Sequence, residues 1–199
     1  MSTKNNFLES AKKTFVSQGQ SITNLSNFLT DDFAKSVESI VACKTRIVVT
    51  GIGKSAIIAQ KIVATFNSTG TPSLFMHASE AIHGDLGMVQ NGDVVICISK
   101  SGNSPEIKAL IPIIKRFGNK LIAITGNITS YLGKQSDFVL NTYVDSESCP
   151  NNLAPTNSTT AQLVMGDALA VCLMEFRKFG SEDFAKYHPG GALGKKLYL

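Results

Sequence analysis

The chain has 199 residues, enough to bury a substantial core in one domain. Hydrophobic residues make up 43% and charged residues 17%, which is typical of a folded globular protein and excludes a disordered one. The net charge of +4 is mild, the basic residues are scattered, and tryptophan is absent. Because a nucleic-acid groove needs clustered basic residues interleaved with aromatic ones, we expect no nucleic-acid partner.

The four cysteines lie far apart in the chain and form no CxxC pair. Cys97 and Cys172 fall inside apolar runs, which predicts buried free thiols in a reducing compartment. The N-terminal segment MSTKNNFLES lacks the apolar stretch of a signal peptide. No apolar run approaches membrane-spanning length. We therefore expect a cytoplasmic protein without a membrane partner.

Residues 1–45 are predicted to form a helical arm of a single domain that covers residues 1–199. Apolar residues recur at three- and four-residue steps from Leu25 to Val41, a stripe that needs a partner surface. Asp31 and Asp32 are suited to the start of a second helix, because acidic side chains are favourable there. The arm is interpreted as a packing or oligomer-forming element.

From residue 46 onward, strands and helices alternate. The predicted strands are 47–50, 73–76, 94–99, 121–125 and 138–144, and the predicted helices are 54–67, 105–117, 130–135 and 158–178. Near-continuous apolar strands between helices favour an α/β fold, with a five-stranded parallel sheet covered by helices on both faces. The simplest strand order is the flavodoxin-like 2-1-3-4-5.

The stretch DVVICISKSGNSPE, residues 93–106, has the pattern of an anion site. An apolar strand breaks into a loop with three serines and a glycine, and Pro105 then starts a helix. Unpaired N–H groups and the helix dipole favour an anion there, although an ordinary strand-to-helix turn has similar residues. The predicted strand order places this loop opposite the segment TGIGKSA, in the crevice where such sheets bind ligands. Together the two observations favour a phosphate site.

The segment GIGKSA could belong to a nucleotide-binding motif. A P-loop would need glycine where Val48 stands, so that motif is excluded. A dinucleotide fingerprint matches, but no acidic residue occurs at 71–75, where it would bind a ribose, and Glu80 lies beyond. We interpret the segment as a glycine turn that brings Lys54 and Ser55 to the crevice, and expect no cofactor.

The segment HASEAIHGDLGM, residues 77–88, places four polar side chains together. They are His77, Glu80, His83 and Asp85. A hydrogen-bonded crevice wall is the simpler interpretation. A divalent metal on His77, Glu80 and His83 is the alternative, and an inhibitory or accessory ion at the two histidines stays open.

Two further segments carry polar residues near predicted strand or helix ends. Glu147 follows the fifth strand, at the edge of the sheet where ligands bind. The residues of PTNSTT, 155–160, are favoured helix caps and need no further role. His188 lies in the glycine-rich segment HPGGALG, residues 188–194.

Together, GIGKSA, HGDLGM, ISKSGNSPE, CPNNLAPTNSTT, MGDALA and YHPGGALG resemble the sugar isomerase (SIS) domain. More narrowly, they resemble arabinose 5-phosphate isomerases, which interconvert ribulose 5-phosphate and arabinose 5-phosphate. The resemblance implies a homotetramer with active sites between subunits, on the route to the lipopolysaccharide sugar Kdo. It also implies that catalysis involves Lys54, Glu106, Glu147 and His188, the histidine acting in a neighbouring subunit's site.

The sequence departs from the family pattern in three ways. Many members carry a pair of CBS domains after HPGGALG, whereas this chain ends at Leu199, as a short form would. It has HASEA where a proline commonly follows the histidine, and its serine loop contains Lys100 and Asn103. These departures leave the isomerase class intact and the exact substrate open.

Aldose–ketose isomerisation needs ring opening and proton transfer between adjacent carbons. We assign the carbon acid/base to Glu147, the hydroxyl proton to Glu106, ring opening to His188, and oxygen polarisation or sugar binding to Lys54. The residues predicted to contact the substrate or its phosphate are Gly53, Ser55, Ser99, Ser101, Gly102, Asn103, Ser104, Thr156, Ser158 and Thr159. A non-catalytic sugar-phosphate-binding module and an isomerase of another phosphosugar remain alternatives.

Overall fold

The computed structural model describes residues 3–190, so residues 191–194 of the predicted HPGGALG segment lie outside it. The helices are α1 (Thr3–Asn24), α2 (Asp31–Ala42), α3 (Lys54–Ser68), α4 (Ala78–Ala81), α5 (Pro105–Arg116), α6 (Tyr131–Gln135), α7 (Asn157–Arg177) and α8 (Ser181–Tyr187). The strands are β1 (Ile47–Gly51), β2 (Ser73–His77), β3 (Val94–Ile98), β4 (Lys120–Thr125) and β5 (Phe138–Asn141).

The strands form one parallel sheet in the order β2-β1-β3-β4-β5, which confirms the predicted fold. Every residue of β1 and β3 is buried, because helices cover both faces of the sheet. Successive side chains point to opposite faces, so Val49 packs in a cluster with α2, α3 and α7, and Val48 packs in a cluster with α5 and α6.

The helical arm breaks where the sequence predicts a second helix. A 3₁₀ turn, Leu25–Phe28, separates α1 from α2, and Thr30 caps α2 by accepting a hydrogen bond from the Asp32 N–H. The Asp32 carboxylate in turn accepts from the Val139 N–H of the edge strand β5, at 2.9 Å. The arm therefore packs on the rest of the chain and covers an open sheet edge.

Two elements differ from the sequence prediction. The sequence predicts a fifth strand that reaches residue 144, but β5 ends at Asn141. The Asn141 side chain accepts the Tyr143 N–H at 2.9 Å and turns the chain. Helix α8 was not predicted, since its seven residues are mostly polar.

All four cysteines are free, and Cys172, expected to be buried, is half-exposed.

Within the described residues, α7 is the one helix long and apolar enough to span a membrane by composition. It packs against α1 and α3, and nine of its residues, including Met165 and Leu169, are buried. Its apolar character therefore matches its position in the core of the fold.

The close approach of α3 and α7 depends on Gly166. A Cβ atom at this position would collide with the Ile62 side chain. Gly166→Ala should therefore lower the free energy of unfolding by about 1–3 kcal/mol relative to Gly19→Ala, measured by denaturant titration. Gly19 is the matched control, because it is also helical and a Cβ there meets nothing within 4 Å. Equal effects of the two substitutions would refute this packing account.

Candidate active site

The carboxyl ends of the central strands bring three predicted segments to one edge. Gly51 at the end of β1 pairs in register with His77 of β2 on one side and Ile98 of β3 on the other. The segment that contains Lys54 and the serine loop, residues 99–104, therefore leave the sheet at the same level. This shared edge is the crevice that the sequence predicts.

The serine loop is held in a fixed shape by its own side chains and by the β4–α6 connection. The Ser99 hydroxyl accepts the Gly102 N–H at 3.1 Å, and the Gly102 carbonyl accepts the Leu132 N–H at 3.0 Å. Gly102 has φ +62°, and a Cβ there would collide with Ser130. Glycine is therefore required for both backbone conformation and space.

Two serines at the start of α5 have hydroxyl groups with hydrogen-bonding capacity that is not fully used. Ser101 is exposed, and its hydroxyl accepts only a long bond, 3.3 Å, from the Asn103 N–H. Ser104 precedes Pro105 as the N-cap, and its buried Oγ has no partner among the described residues. Asn103 instead anchors the loop, since its Oδ1 accepts the Tyr131 N–H at 3.0 Å.

Glu147 is buried at the start of α7, and five donors surround its carboxylate. The Lys100 Nζ lies 2.6 Å and the Ser158 Oγ 2.5 Å from Oε1. Oε2 accepts the Thr156 N–H at 2.7 Å, the Thr156 hydroxyl at 3.1 Å and the Ser158 N–H at 3.2 Å. Glu147 is 5% exposed. Hydrogen bonds from the protein therefore replace the water molecules that would surround this carboxylate in solution.

These donors determine the ionisation of Glu147. Burial alone would raise its pKa, but the hydrogen bonds from Lys100, Ser158 and the backbone of Thr156 outweigh burial and lower the pKa from 4.5 to about 2. The carboxylate is therefore ionised and fixed in the protein without ligand.

The sequence prediction did not identify Lys100 as the partner of Glu147. The two residues are 47 positions apart, and they meet because the β5–α7 connection folds back over the edge of the sheet. The one sequence signal was the departure from the family pattern at Lys100.

The remaining residues predicted to bind phosphate have structural partners. Thr156 and Ser158 direct their donors at Glu147, and Thr159 donates to the Thr156 carbonyl at 2.9 Å within the helix. The Ser55 hydroxyl donates to Gln162 Oε1 at 3.1 Å, which joins α3 to α7 beside the crevice. In this structure, therefore, these hydroxyls have protein acceptors.

Lys54 and Glu106 occupy the first turns of α3 and α5, at the crevice edge of the sheet. Lys54 is exposed, and it follows Gly53, whose φ of +58° turns the chain sharply into the helix. Glu106 is half-buried. Both residues therefore belong to the same edge of the sheet as the serine loop.

The polar segment 77–88 follows strand β2 at the carboxyl edge of the sheet. His77 Nδ1 accepts the Ser79 N–H at 3.3 Å, and Glu80 and His83 are exposed. Asp85 begins a 3₁₀ turn, Asp85–Met88. Over residues 3–190, no three His, Cys, Asp or Glu side chains are grouped closely enough to hold a metal ion.

His188 is the one catalytic candidate at the other end of the molecule. It follows α8 next to Tyr187, whose ring lies 3.9 Å from the Cβ position on Gly70. Gly70 precedes β2 at the amino edge of the sheet and accepts a hydrogen bond from Arg177 at the end of α7. The Glu147 carboxylate contacts Thr156 and Ser158 at the start of α7. About 30 Å, the length of this helix, therefore separates Glu147 from the end where His188 lies.

Two cavities flank the sheet. One of about 220 Å³ lies beside the serine loop and is lined by Lys100, Ser101 and Tyr143, among others. A larger one, about 300 Å³, lies at the amino edge near Asp93 and Asn119, away from the clustered polar side chains. The chemistry of the lining residues, rather than volume, therefore identifies the crevice edge as the candidate site.

The SIS domain family model matches residues 40–172, and the chain belongs to this family. The chain is 50% identical over 199 residues to arabinose 5-phosphate isomerase KdsD of Pseudomonas aeruginosa, covering 100% of this chain and 61% of that protein. It is 51% identical over 193 residues to KdsD of Escherichia coli K12, and this match covers 97% of this chain and 59% of that protein. The chain thus spans about three-fifths of these relatives' length.

A solved structure shows the same fold over nearly the whole chain. The Escherichia coli CFT073 protein c3406, in complex with arabinose 5-phosphate, superposes with a TM-score of 0.90 and 41% identity. The match covers 95% of this chain and 100% of that one. These comparisons confirm the resemblance that the sequence motifs predicted.

The donors around Glu147 predict an acid-dependent loss of stability. A carboxyl whose folded pKa is depressed stabilises the fold above its unfolded pKa, 4.5, and loses that contribution as pH falls towards 2. Between about pH 6 and 3, the wild-type protein should lose about 1–2 kcal/mol more unfolding free energy than Glu147→Gln, measured by urea denaturation. If the unfolding free energies of the wild-type protein and Glu147→Gln changed equally with pH, the described carboxylate environment would be contradicted.

Proposed function

We propose that this protein is an aldose–ketose isomerase that interconverts D-ribulose 5-phosphate and D-arabinose 5-phosphate. The observation that carries the proposal is the buried, ionised Glu147 carboxylate, held at the same edge as a serine loop and a helix N-terminus. A fixed carboxylate can move a proton, and the loop can bind a phosphate. The names of the similar KdsD proteins and the ligand of the c3406 complex support the same substrate.

In the proposed reaction, the ketose binds by its phosphate to Ser101, Ser104 and the start of α5. Glu147 removes a proton from C1, the C–H electrons form the C1–C2 double bond, and the carbonyl electrons move to O2. Glu106 transfers the hydroxyl proton from O1 to O2. Glu147 then returns its proton to C2, which leaves an aldehyde at C1. Phosphate binding remote from the reacting carbons positions them for these transfers.

The position of His188 supports a shared site in an oligomer. His188 and Glu147 lie at opposite ends of α7, so His188 would open the sugar ring only in the site of a neighbouring subunit. Exposed apolar side chains on α1, including Phe7, Phe15 and Val16, offer a surface for such an assembly. A homotetramer in the cytoplasm, which supplies arabinose 5-phosphate for Kdo, is the proposed context.

The proposal has two competitors. A non-catalytic sugar-phosphate-binding module would need the serine loop but no buried ionised carboxylate. An isomerase of a hexulose or heptose phosphate would use the same loop and carboxylate with a longer sugar. The direct test compares turnover of five-, six- and seven-carbon ketose phosphates. Turnover highest with ribulose 5-phosphate is expected. Preference for a longer ketose, or no turnover of any, would overturn the proposal.

Replacing the proposed base should abolish turnover without unfolding the protein. We expect Glu147→Gln to lower kcat by about a thousandfold or more, because the amide cannot accept the C1 proton. Circular dichroism checks that the variant is folded. Near-wild-type turnover by the folded variant would remove Glu147 from the mechanism.

Replacing a phosphate ligand should mainly weaken binding. Ser101→Ala is expected to raise KM for arabinose 5-phosphate by about tenfold and to change kcat less, because the lost contact is made in both substrate and transition state. Ser73→Ala is a matched control, since Ser73 lies at the amino end of β2. A loss confined to kcat at saturating substrate would contradict the phosphate role.

A further inference from the structure

Lys100 connects two parts of the site that the proposed mechanism keeps separate. Its backbone lies in the serine loop between Ser99 and Ser101, and the Gly126 N–H fixes its carbonyl at 3.1 Å. Its side chain leaves the loop and places Nζ 2.6 Å from the Glu147 carboxylate. The backbone thus belongs to the phosphate end of the site and the ammonium to the reacting end.

The burial of the two partners differs sharply. The Glu147 side chain is fully buried, whereas the Lys100 side chain is 48% exposed. Among residues 3–190, Lys100 is the only cation paired with Glu147, and Thr156 and Ser158 supply its other, uncharged donors. An ammonium has three N–H donors, and within residues 3–190 Glu147 is the one acceptor of the Lys100 ammonium. The cation therefore has donors left for a ligand.

The charge that the proposed reaction moves remains next to this cation. In the free protein the negative charge resides on Glu147. When Glu147 takes the C1 proton it becomes neutral, and the negative charge appears on the substrate's O2. A cation already held beside the base then lies close to the new anion and needs only a short movement to reach it. Charge positioned in this way before the reaction stabilises charged transition states.

We propose that Lys100 is a catalytic residue whose ammonium passes from the Glu147 carboxylate to the enediolate oxygen during proton transfer. The inference rests on the proposed isomerase function and deepens it. It gives to Lys100 the oxygen-polarising role that we assigned to Lys54 from the sequence. The same movement weakens a strong donor contact to Glu147 as the proton arrives, which raises the proton affinity of the carboxylate during the step.

The first test separates turnover from binding. Lys100→Met should lower kcat for arabinose 5-phosphate by about a hundredfold and leave KM within about threefold, because the anion arises after binding. Lys100→Arg should restore part of kcat, since it keeps the charge. Lys120→Met is the matched control: Lys120 forms a similar pair with Asp137, at 3.1 Å, but lies at the amino end of β4. It should retain wild-type kcat.

The second test uses a mimic of the enediolate, the hydroxamate of the four-carbon aldonic acid phosphate. Lys100→Met should weaken its inhibition constant about a hundredfold, while competition by inorganic phosphate changes less than about threefold. Equal weakening of both would make Lys100 a phosphate ligand and overturn the inference. A folded Lys100→Met variant with the kcat of the wild-type protein would also overturn the inference.

The outcome for the wild-type protein keeps the two proposals distinct. A wild-type protein inactive on every ketose phosphate would overturn the proposed function and this inference with it. An active wild-type protein with unaffected Lys100 variants would overturn the inference alone.

Discussion

The arrangement of the site depends on one physical constraint: the buried Glu147 carboxylate can stay ionised only if protein groups replace the water around it. An unpaired carboxylate in a protein interior would take up a proton. Here Lys100 and the hydroxyl and N–H groups of Thr156 and Ser158 replace its hydration shell. These partners come from the serine loop and the start of α7, so folding of both elements is a condition for the charge.

The same contacts join the two halves of the proposed chemistry. The serine loop cannot shift without disturbing Lys100, and α7 cannot shift without disturbing Ser158. The Ser55–Gln162 hydrogen bond ties α7 to α3, whose first residue is Lys54. Phosphate binding at the loop would therefore act directly on the base, through covalent neighbours rather than through a long pathway.

Much of this arrangement could be predicted from the sequence, because it follows from regular patterns. Apolar strands alternating with helices indicated the strand order, and that order placed Lys54 opposite the serine loop. The Lys100–Glu147 pair could not be predicted, since it depends on the irregular path of the β5–α7 connection. Thr156 and Ser158 were recognisable as polar residues near a helix start, but the acceptor they bond is set only by the tertiary fold. Helix α8 lacked an apolar stripe that would reveal it.

The proposed isomerase transfers a proton between the first two carbons of a five-carbon sugar phosphate. The most direct measurement is proton NMR of arabinose 5-phosphate incubated with the wild-type protein in deuterated water. We expect deuterium to replace the proton at C2 while ribulose 5-phosphate forms. Tight binding of arabinose 5-phosphate with neither exchange nor ketose formation would contradict it, and would identify a sugar-phosphate-binding module instead.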